Sequence, residues 1–163
     1  MMGPLVRRGV IGIALIFAAL AVTPGIKPNL SGPARVIDGN TIVVAGQTLR
    51  LYGLDAPDLG QTCRSKENRD WPCGRAAAAA LRQYIGEWPV GCLTRTRDAA
   101  DRLISTCRVG GTDLNAWLVE QGWALACKGC FGGFPLEQGR ARLARRGLWS
   151  GRFEAPEDWR WTH

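Results

Sequence analysis

The polar residues Thr48, Arg50 and Tyr52 alternate with Leu49, Leu51 and Gly53, and this period of two predicts a half-buried strand. β-branched runs flank Asp38-Gly39-Asn40, which indicates a hairpin, because Gly and Asn tolerate the positive φ of a tight turn. A second turn at Ala45-Gly46-Gln47 leads into a strand that begins at Thr48. Pro57 cannot continue a ladder, so this strand is expected to end near Leu54. The pattern therefore predicts a three-strand meander.

The remaining apolar periodicity predicts helices and strands in alternation. The expected elements are an alanine-rich helix over 74–87, strands over 90–97 and 102–109, a helix over 112–121, a strand over 123–127 and a helix over 135–146. Thr112 should cap the second helix. Trp159 and Trp161 in the tail are expected to pack against the sheet, since tryptophan is more often core than ligand contact. This order predicts a mixed α+β, mainly β fold, a five-stranded OB-type barrel with about three helices around it.

The first residues have the pattern of an export signal. Arg7-Arg8 precede an apolar run from Gly9 to Val22, which is shorter than the roughly 20 residues that a membrane-spanning helix needs. Ala19-Leu20-Ala21 offers small residues for a cleavage site. The alternative is an uncleaved N-terminal anchor, and both place the domain in the periplasm or outside the cell. The expected organisation is a leader over 1–22, a linker over 23–33, a domain over 34–150 and a tryptophan-containing tail over 151–163.

Composition narrows the class of protein. With 163 residues, of which 46% are hydrophobic and 21% charged, the chain is long enough for one well-buried globular domain. The formal charge is +7, and +5 remains once the two leader arginines are subtracted (7 minus 2). A basic surface suits a polyanion partner, although solubility alone accounts for a charge of this size. His163 is the single histidine, which excludes Ser-His-Asp and Cys-His nucleophilic schemes.

Six cysteines behind an export signal indicate three disulfides, although many pairings are formally open. Proximity in the chain and on adjacent strands favours Cys63 with Cys73, Cys92 with Cys107, and Cys127 with Cys130. A zinc site is the alternative for the last pair. It is disfavoured, because a structural zinc site needs four ligands and the chain has a single histidine.

The end of the strand that begins at Thr48 carries the candidate chemistry. Arg50 lies in the middle of that strand, and Asp55 and Asp58 follow on the turn past its end. The strand therefore brings a phosphate-binding guanidinium and cation-binding carboxylates within side-chain reach of one another. That combination predicts metal-assisted phosphate chemistry. The alternative is a charged strand end at which Asp55 only caps a turn.

Four motifs follow one another between residues 34 and 149. They are Arg-Val-Ile-Asp-Gly-Asn-Thr over 35–41, Arg-Leu-Tyr-Gly-Leu-Asp-Ala-Pro-Asp over 50–58, Asp-Ala-Ala-Asp-Arg over 98–102 and Asp-Leu-Asn-Ala-Trp-Leu-Val-Glu-Gln-Gly-Trp-Ala over 113–124. In this order and spacing they resemble the thermonuclease (micrococcal nuclease) family, and linked motifs are more specific than any single one.

The resemblance implies an OB-type barrel in which two aspartates and a backbone carbonyl bind Ca²⁺, a glutamate positions water and two arginines hold the scissile phosphate. The positions that match are Asn40, Asp55 and the Ala56 carbonyl for calcium, and Arg50, Arg102 and Asp58 for catalysis.

This sequence differs from the family at positions that the resemblance implies for calcium binding, catalysis and stacking of the nucleoside. Asn40 replaces an aspartate, which should weaken calcium binding, because affinity depends on the charge of the ligands. Asp58 replaces a glutamate, and a displacement on the order of 1 Å can cost about a hundredfold in rate. Cys127 and Gly129 stand where the family stacks its nucleoside on tyrosines. Asp101 replaces a glycine in the turn before the second arginine, but it can adopt the left-handed conformation.

Two functions follow from these residues. The first is an exported, monomeric nuclease that hydrolyses single-stranded DNA or RNA with calcium, and does so weakly. The alternative is a catalytically inactive OB-fold module that binds nucleic acid, another polyanion or a protein partner. Contact with a membrane is expected only through an uncleaved leader.

Overall fold

The computed structural model describes residues 28–127 and 133–163. The expected leader over 1–22 lies outside the described residues, as do Gly129 and Cys130. Within the described ranges, no helix is long and apolar enough to cross a membrane.

Short strands make up most of the regular structure. The strands are β1 (Leu30–Gly32), β2 (Ala34–Val36), β3 (Thr41–Val44), β4 (Gln47–Leu51), β5 (Leu54–Asp55), β6 (Cys63–Arg64), β7 (Asp70–Trp71), β8 (Val90–Arg97), β9 (Leu103–Val109), β10 (Thr112–Asp113) and β11 (Leu125–Ala126). The helices are α1 (Cys73–Ile85), α2 (Leu114–Glu120), α3 (Pro135–Leu143) and α4 (Pro156–Thr162), with a 3₁₀ turn at Gly147–Ser150.

A seven-stranded sheet forms the centre of the fold, in the order β1-β8-β9-β4-β3-β2, with β10 on β9. Strands β2, β3 and β4 are antiparallel neighbours, which confirms the predicted meander. Strands β4 and β9 pair in parallel, with Arg50 opposite Ile104. The mixed α+β, OB-like fold is therefore confirmed. Across the residues that the structure describes, the sheet stays open rather than closing into a barrel.

Helices α1 and α2 share one apolar core with this sheet, and Leu81 of α1 is fully buried in it. Fully burying a leucine contributes about 1.5–3 kcal/mol to the free energy of unfolding. Asn115 is the buried polar residue of α2, and its amide donates to the Tyr52 carbonyl at 2.8 Å and to the Ser105 carbonyl at 3.1 Å. It also accepts the N–H of Cys107 at 3.0 Å. These bonds fix the end of β4 against β9.

The strand that carries Arg50 ends earlier than expected. β4 stops at Leu51 rather than near Leu54, because Gly53 turns the chain with a φ of 80°. Residues 54–55 then form β5, which pairs with β11 instead of extending β4. This break directs Asp55 away from the main sheet and toward the cleft described below.

Two helical boundaries differ from the prediction. Asp113, rather than Thr112, caps α2, because the Asp113 carboxylate accepts two backbone N–H groups of the first turn. α3 ends at Leu143 rather than at residue 146, and Arg145 just beyond it has a φ of 52°, which no α-helix continues.

The tail forms a helix that the sequence reasoning did not predict. α4 begins at Pro156 and is the fourth α-helix in the described residues, where about three were expected. Trp161 is 83% exposed, so the prediction that it packs against the sheet is wrong. Trp159 is half-buried and stacks on His163, with 4.6 Å between ring centroids. A seven-residue helix has room to bury one side only, and Trp161 lies on its outer side.

The predicted disulfides are confirmed where both partners are described. Cys63 pairs with Cys73, with 5.6 Å between Cα atoms, and this bond ties β6 to the start of α1. Cys92 and Cys107 lie opposite each other on β8 and β9 and also pair. Cys127 is disulfide-bonded as well. Its predicted partner lies outside the described residues.

Candidate functional site

A cleft of about 340 Å³ opens where β4 and β5 meet β11 and the start of α4. Its polar side chains are those of Arg50, Tyr52, Asp55, Glu157 and Arg160. Two of the predicted site residues therefore line one cavity, together with an arginine from the tail.

Asn40 lies beside this cleft at the end of the β2–β3 hairpin and is only 5% exposed. Its Oδ1 accepts the backbone N–H of Ala56 at 2.6 Å. Its Nδ2 donates to the Ala56 carbonyl at 3.2 Å and lies 3.4 Å from Asp55 Oδ1. The Ala56 N–H requires an acceptor, so the oxygen of the amide must be on that side. The amide nitrogen therefore faces the two oxygens that the resemblance implies for calcium.

Two glycines permit this close approach of loops. A Cβ on Gly39 would lie 2.7 Å from the Cβ of Ala56, and a Cβ on Gly74 would lie 1.7 Å from the carbonyl oxygen of Asp58. Both distances are too short for any side chain. The hairpin and the first turn of α1 thus hold the 55–58 loop from two sides.

Arg160 of α4 bridges the two carboxylates of that loop. Its Nη2 donates to Asp55 Oδ2 at 2.7 Å, and its Nη1 donates to Asp58 Oδ2 at 3.0 Å. The hydrogen bond to Asp55 raises the pKa of Arg160, burial acts against this, and the hydrogen bond to Asp58 adds to it. One guanidinium therefore contacts both acidic residues of the loop and offsets part of their negative charge.

Arg50 approaches the same carboxylate from the sheet. Its Nη2 lies 3.5 Å from Asp55 Oδ1, and its side chain is 29% exposed. Asp55 Oδ1 thus faces Asn40 and Arg50, while Asp55 Oδ2 faces Arg160. Both oxygens of Asp55 are engaged by nitrogen donors of the protein itself.

Arg102 does not line the cleft in the part of the chain that the structure describes. Its Nε donates to Asp98 Oδ2 at 2.7 Å, and Asp98 Oδ1 accepts the N–H groups of Ala100 and Arg102. Desolvation acts to raise the pKa of Asp98, but these hydrogen bonds outweigh it and lower that pKa below its ordinary value. Asp101 has a φ of 60°, as the sequence predicted. The proposed role of Arg102 beside Arg50 stays a prediction.

Sequence reasoning missed two arginines near the cleft. The guanidinium carbon of Arg95 lies 5.9 Å from the centroid of the Tyr52 ring, and Arg160 comes from the unpredicted helix. Pro156 followed by two acidic residues is a helix-start signal that could have revealed α4. Nothing in the linear sequence indicates which carboxylates the helix would reach.

The residues in this arrangement do not fit a calcium ion. Calcium takes six to eight oxygen ligands, whereas the Asn40 amide nitrogen and the Arg160 guanidinium face the oxygens of residues 55–58. Among the residues of known placement, no group of three or more His, Cys, Asp or Glu side chains could hold a metal ion.

The sequence matches the family described as staphylococcal nuclease homologue over residues 48–151. The chain belongs to this family. The matched range includes Arg50, Asp55, Asp58 and Arg102, so the predicted resemblance is confirmed. Asn40 precedes the range, which ends before α4 begins. The Asn40 amide and the Arg160 guanidinium, which contact the oxygens of residues 55–58, therefore both lie outside the matched range.

One relative is the succinoglycan biosynthesis protein ExoI of Rhizobium meliloti (strain 1021). It is 38% identical over 117 residues, which cover 69% of this chain and 61% of that protein. The chain therefore spans less than two thirds of the length of this relative.

Proposed function

We propose that this protein binds single-stranded DNA or RNA in the cleft and hydrolyses it weakly, or not at all, with calcium. The observation that carries the proposal is the Asn40 amide, whose nitrogen donates to the Ala56 carbonyl at 3.2 Å. An amide N–H group is a donor and cannot ligate a cation. Calcium-dependent hydrolysis would require the Ala56 carbonyl oxygen and the Asp55 carboxylate to face the metal ion, rather than the nitrogen donors of the protein.

Asp58 supports the same conclusion. A residue that positions water must have a carboxylate oxygen free to accept the hydrogen bond. Arg160 takes up Oδ2 of Asp58 at 3.0 Å, which leaves one oxygen for a water, and the side chain is one methylene shorter than the glutamate of the family. Hydrolysis, which needs a well-placed carboxylate, is therefore weakened more than binding, which needs only positive charge.

Binding retains its main groups. Asp55 has its short contact with Arg160, at 2.7 Å, and a longer one with Arg50, at 3.5 Å. Arg50 therefore keeps donors for a phosphate, and arginine binds phosphate in a bidentate manner. Tyr52 in the same cleft offers a ring for a base, and stacking of this kind contributes about 1–3 kcal/mol per base.

Binding and cleavage should be measured together, with fluorescently labelled single-stranded DNA and RNA, in calcium and in chelator. We expect the same affinity in both buffers and little cleavage in either. Arg50→Ala should weaken binding at least about tenfold, because a charge-assisted phosphate contact is lost. Arg82→Ala on the exposed side of α1 is the matched control and should leave affinity unchanged. Rapid cleavage that the chelator abolishes would overturn the proposal.

A polysaccharide is the second candidate ligand, because the ExoI relative is named for succinoglycan biosynthesis. The same assay can include succinoglycan as an unlabelled competitor. Succinoglycan should displace the labelled strand if it binds the same cleft. Displacement of this kind, with a loss of succinoglycan affinity in Arg50→Ala as large as the loss of nucleic-acid affinity, would favour the polysaccharide over nucleic acid.

We also propose that the domain works as a monomer outside the cytoplasm. Cys63–Cys73 and Cys92–Cys107 support this compartment, because disulfides persist in oxidising surroundings. Alkylation of the exported protein without reductant should label no cysteine, as judged by peptide mapping. Labelling of Cys63 or Cys92 in native protein would contradict the proposed compartment.

A further inference from the structure

We infer that Arg160 is a built-in cation of this site, so that docking of α4 and binding of a divalent cation exclude each other. The inference rests on the bridge from one guanidinium to Asp55 at 2.7 Å and to Asp58 at 3.0 Å. The inference concerns which cation pairs with these two carboxylates, Arg160 or a metal ion. It does not depend on whether the cleft binds nucleic acid, a polysaccharide or neither.

While α4 is docked, nitrogen donors of the protein engage three of the four carboxylate oxygens of Asp55 and Asp58. Asp55 presents one oxygen to Arg160 and the other to Asn40 and Arg50. Asp58 presents one oxygen to Arg160 as well. A hard divalent cation would need these oxygens, and it would lie next to a guanidinium of the same sign. Either the helix or the cation can satisfy the carboxylates, but not both.

The competition favours the helix because it is intramolecular. The backbone is anchored just before α4, where the buried Gln61 side chain donates to the Glu154 carbonyl at 2.8 Å. Arg160 follows a few residues later, so it is held near the carboxylates at an effective concentration that reaches millimolar even for a flexible tether. A divalent ion has to displace this tethered guanidinium, so the apparent affinity of the site for the ion is reduced by the competition.

Arg160 supplies the polar contacts of α4 with the 55–58 loop, and Pro156 buries the start of the helix. Trp159 stacks on His163 within the helix end, and Trp161 is 83% exposed. The ion-pair bridge is thus the main polar link between the helix and the 55–58 loop. Removing the guanidinium should release the carboxylates without disturbing the sheet.

The experiment measures Mn²⁺ binding by the electron paramagnetic resonance signal of the free ion, and it does not depend on activity. The wild-type protein should bind Mn²⁺ weakly or not detectably. Asn40→Asp restores one carboxylate, and adding Arg160→Gln to it should tighten Mn²⁺ binding at least about tenfold, since a competing positive charge is removed. Asn40→Asp with Trp161→Ala is the matched control on the same helix and should behave like Asn40→Asp alone.

Two results would overturn the inference. One is equal Mn²⁺ affinity with and without Arg160→Gln, and the other is tighter binding that persists when Asp55→Asn is added. Melting curves establish that each variant folds.

A second measurement uses the wild-type protein alone. High CaCl₂, compared with NaCl at matched ionic strength, should speed amide hydrogen exchange in residues 156–162. Unchanged exchange there in the presence of bound calcium would also overturn the inference.

Discussion

Two arginine–carboxylate contacts have the same length of 2.7 Å but different origins. Arg102 donates to Asp98 across four residues, inside the turn between β8 and β9. Arg160 donates to Asp55 across 105 residues, from the last helix to the strand that follows Gly53. The first contact depends on one turn, whereas the second exists only when the tail has folded onto the domain.

The two carboxylates also differ in what surrounds them. Asp98 accepts two backbone N–H groups of its own turn, so its main role is to hold the turn together. Asp55 is contacted by side chains of three separate elements, through hydrogen bonds from the hairpin and α4 and an ion pair from β4. The same pairing of groups therefore organises a local loop in one place and occupies the candidate site in the other. The spacing of residues in the sequence can indicate a local ion pair such as Arg102–Asp98. It does not indicate a distant ion pair such as Arg160–Asp55, although that pair changes the chemistry of the site.

The largest expected effect comes from undoing the distant contact while restoring the family's residues. Asn40→Asp with Asp58→Glu returns the ligand charge and the carboxylate length, and Arg160→Gln removes the guanidinium between them. The triple variant should show calcium-dependent nuclease activity at least about a hundredfold above wild type, if a displacement of a catalytic group costs this much. Release of acid-soluble nucleotides from single-stranded DNA measures the change.

The Asn40→Asp, Asp58→Glu double variant is the control for this prediction. It should gain less activity than the triple variant, because Arg160 still pairs with residues 55 and 58. Equal activity in the double and triple variants would show that the tail does not limit catalysis. If all variants fold yet stay inert, the lost aromatic positions at Cys127 and Gly129 become the decisive change.

A smaller effect is expected on stability. Asp55→Asn removes the carboxylate that lies between Arg50 and Arg160, so the two guanidinium groups lose their shared counter-charge. The free energy of unfolding should fall by about 1–3 kcal/mol, which is typical of hydrogen bonds to a charged group. Denaturant titration measures it. Asp70→Asn, in a pair with Arg64 whose aspartate is 65% exposed, should cost less than about 1 kcal/mol. Equal losses in both variants would contradict the comparison.

Much of the fold follows from local chemistry. The turn at Ala45-Gly46 has the positive φ values of a tight turn, 48° and 77°. Neither Gly39 nor Asn40 has a positive φ, so the hairpin forms where it was predicted but Gly39 is needed for its close approach to Ala56 instead. The pairs Cys63–Cys73 and Cys92–Cys107 follow from proximity. The end of β4 was missed, because Gly53 turns the chain before Pro57 can stop it.

The candidate site was harder to predict, since it depends on contacts between distant segments. The motif of residues 50–58 identified Arg50, Asp55 and Asp58, and two of these line the cleft. The orientation of the Asn40 amide depends on the Ala56 backbone, which no spacing reveals. Arg160 was read as part of a tryptophan-containing tail, because a seven-residue helix gives little periodicity.

The smallest expected effect concerns the local contact, and it separates the two carboxylates by their response to pH. Desolvation acts to raise the pKa of Asp98, but the hydrogen bonds from Arg102 and from the Ala100 N–H group outweigh it and lower this pKa below its ordinary value. A group with a lowered folded-state pKa stabilises the fold above its unfolded-state pKa, and this contribution is lost as the pH falls through the folded-state value. Asp98→Asn should therefore lower the melting temperature slightly at pH 7, and this difference should shrink as the pH falls below the ordinary pKa of an aspartate. A difference for Asp98→Asn that is as large at pH 3 as at pH 7 would mean that the turn depends on the shape of this side chain rather than on its charge.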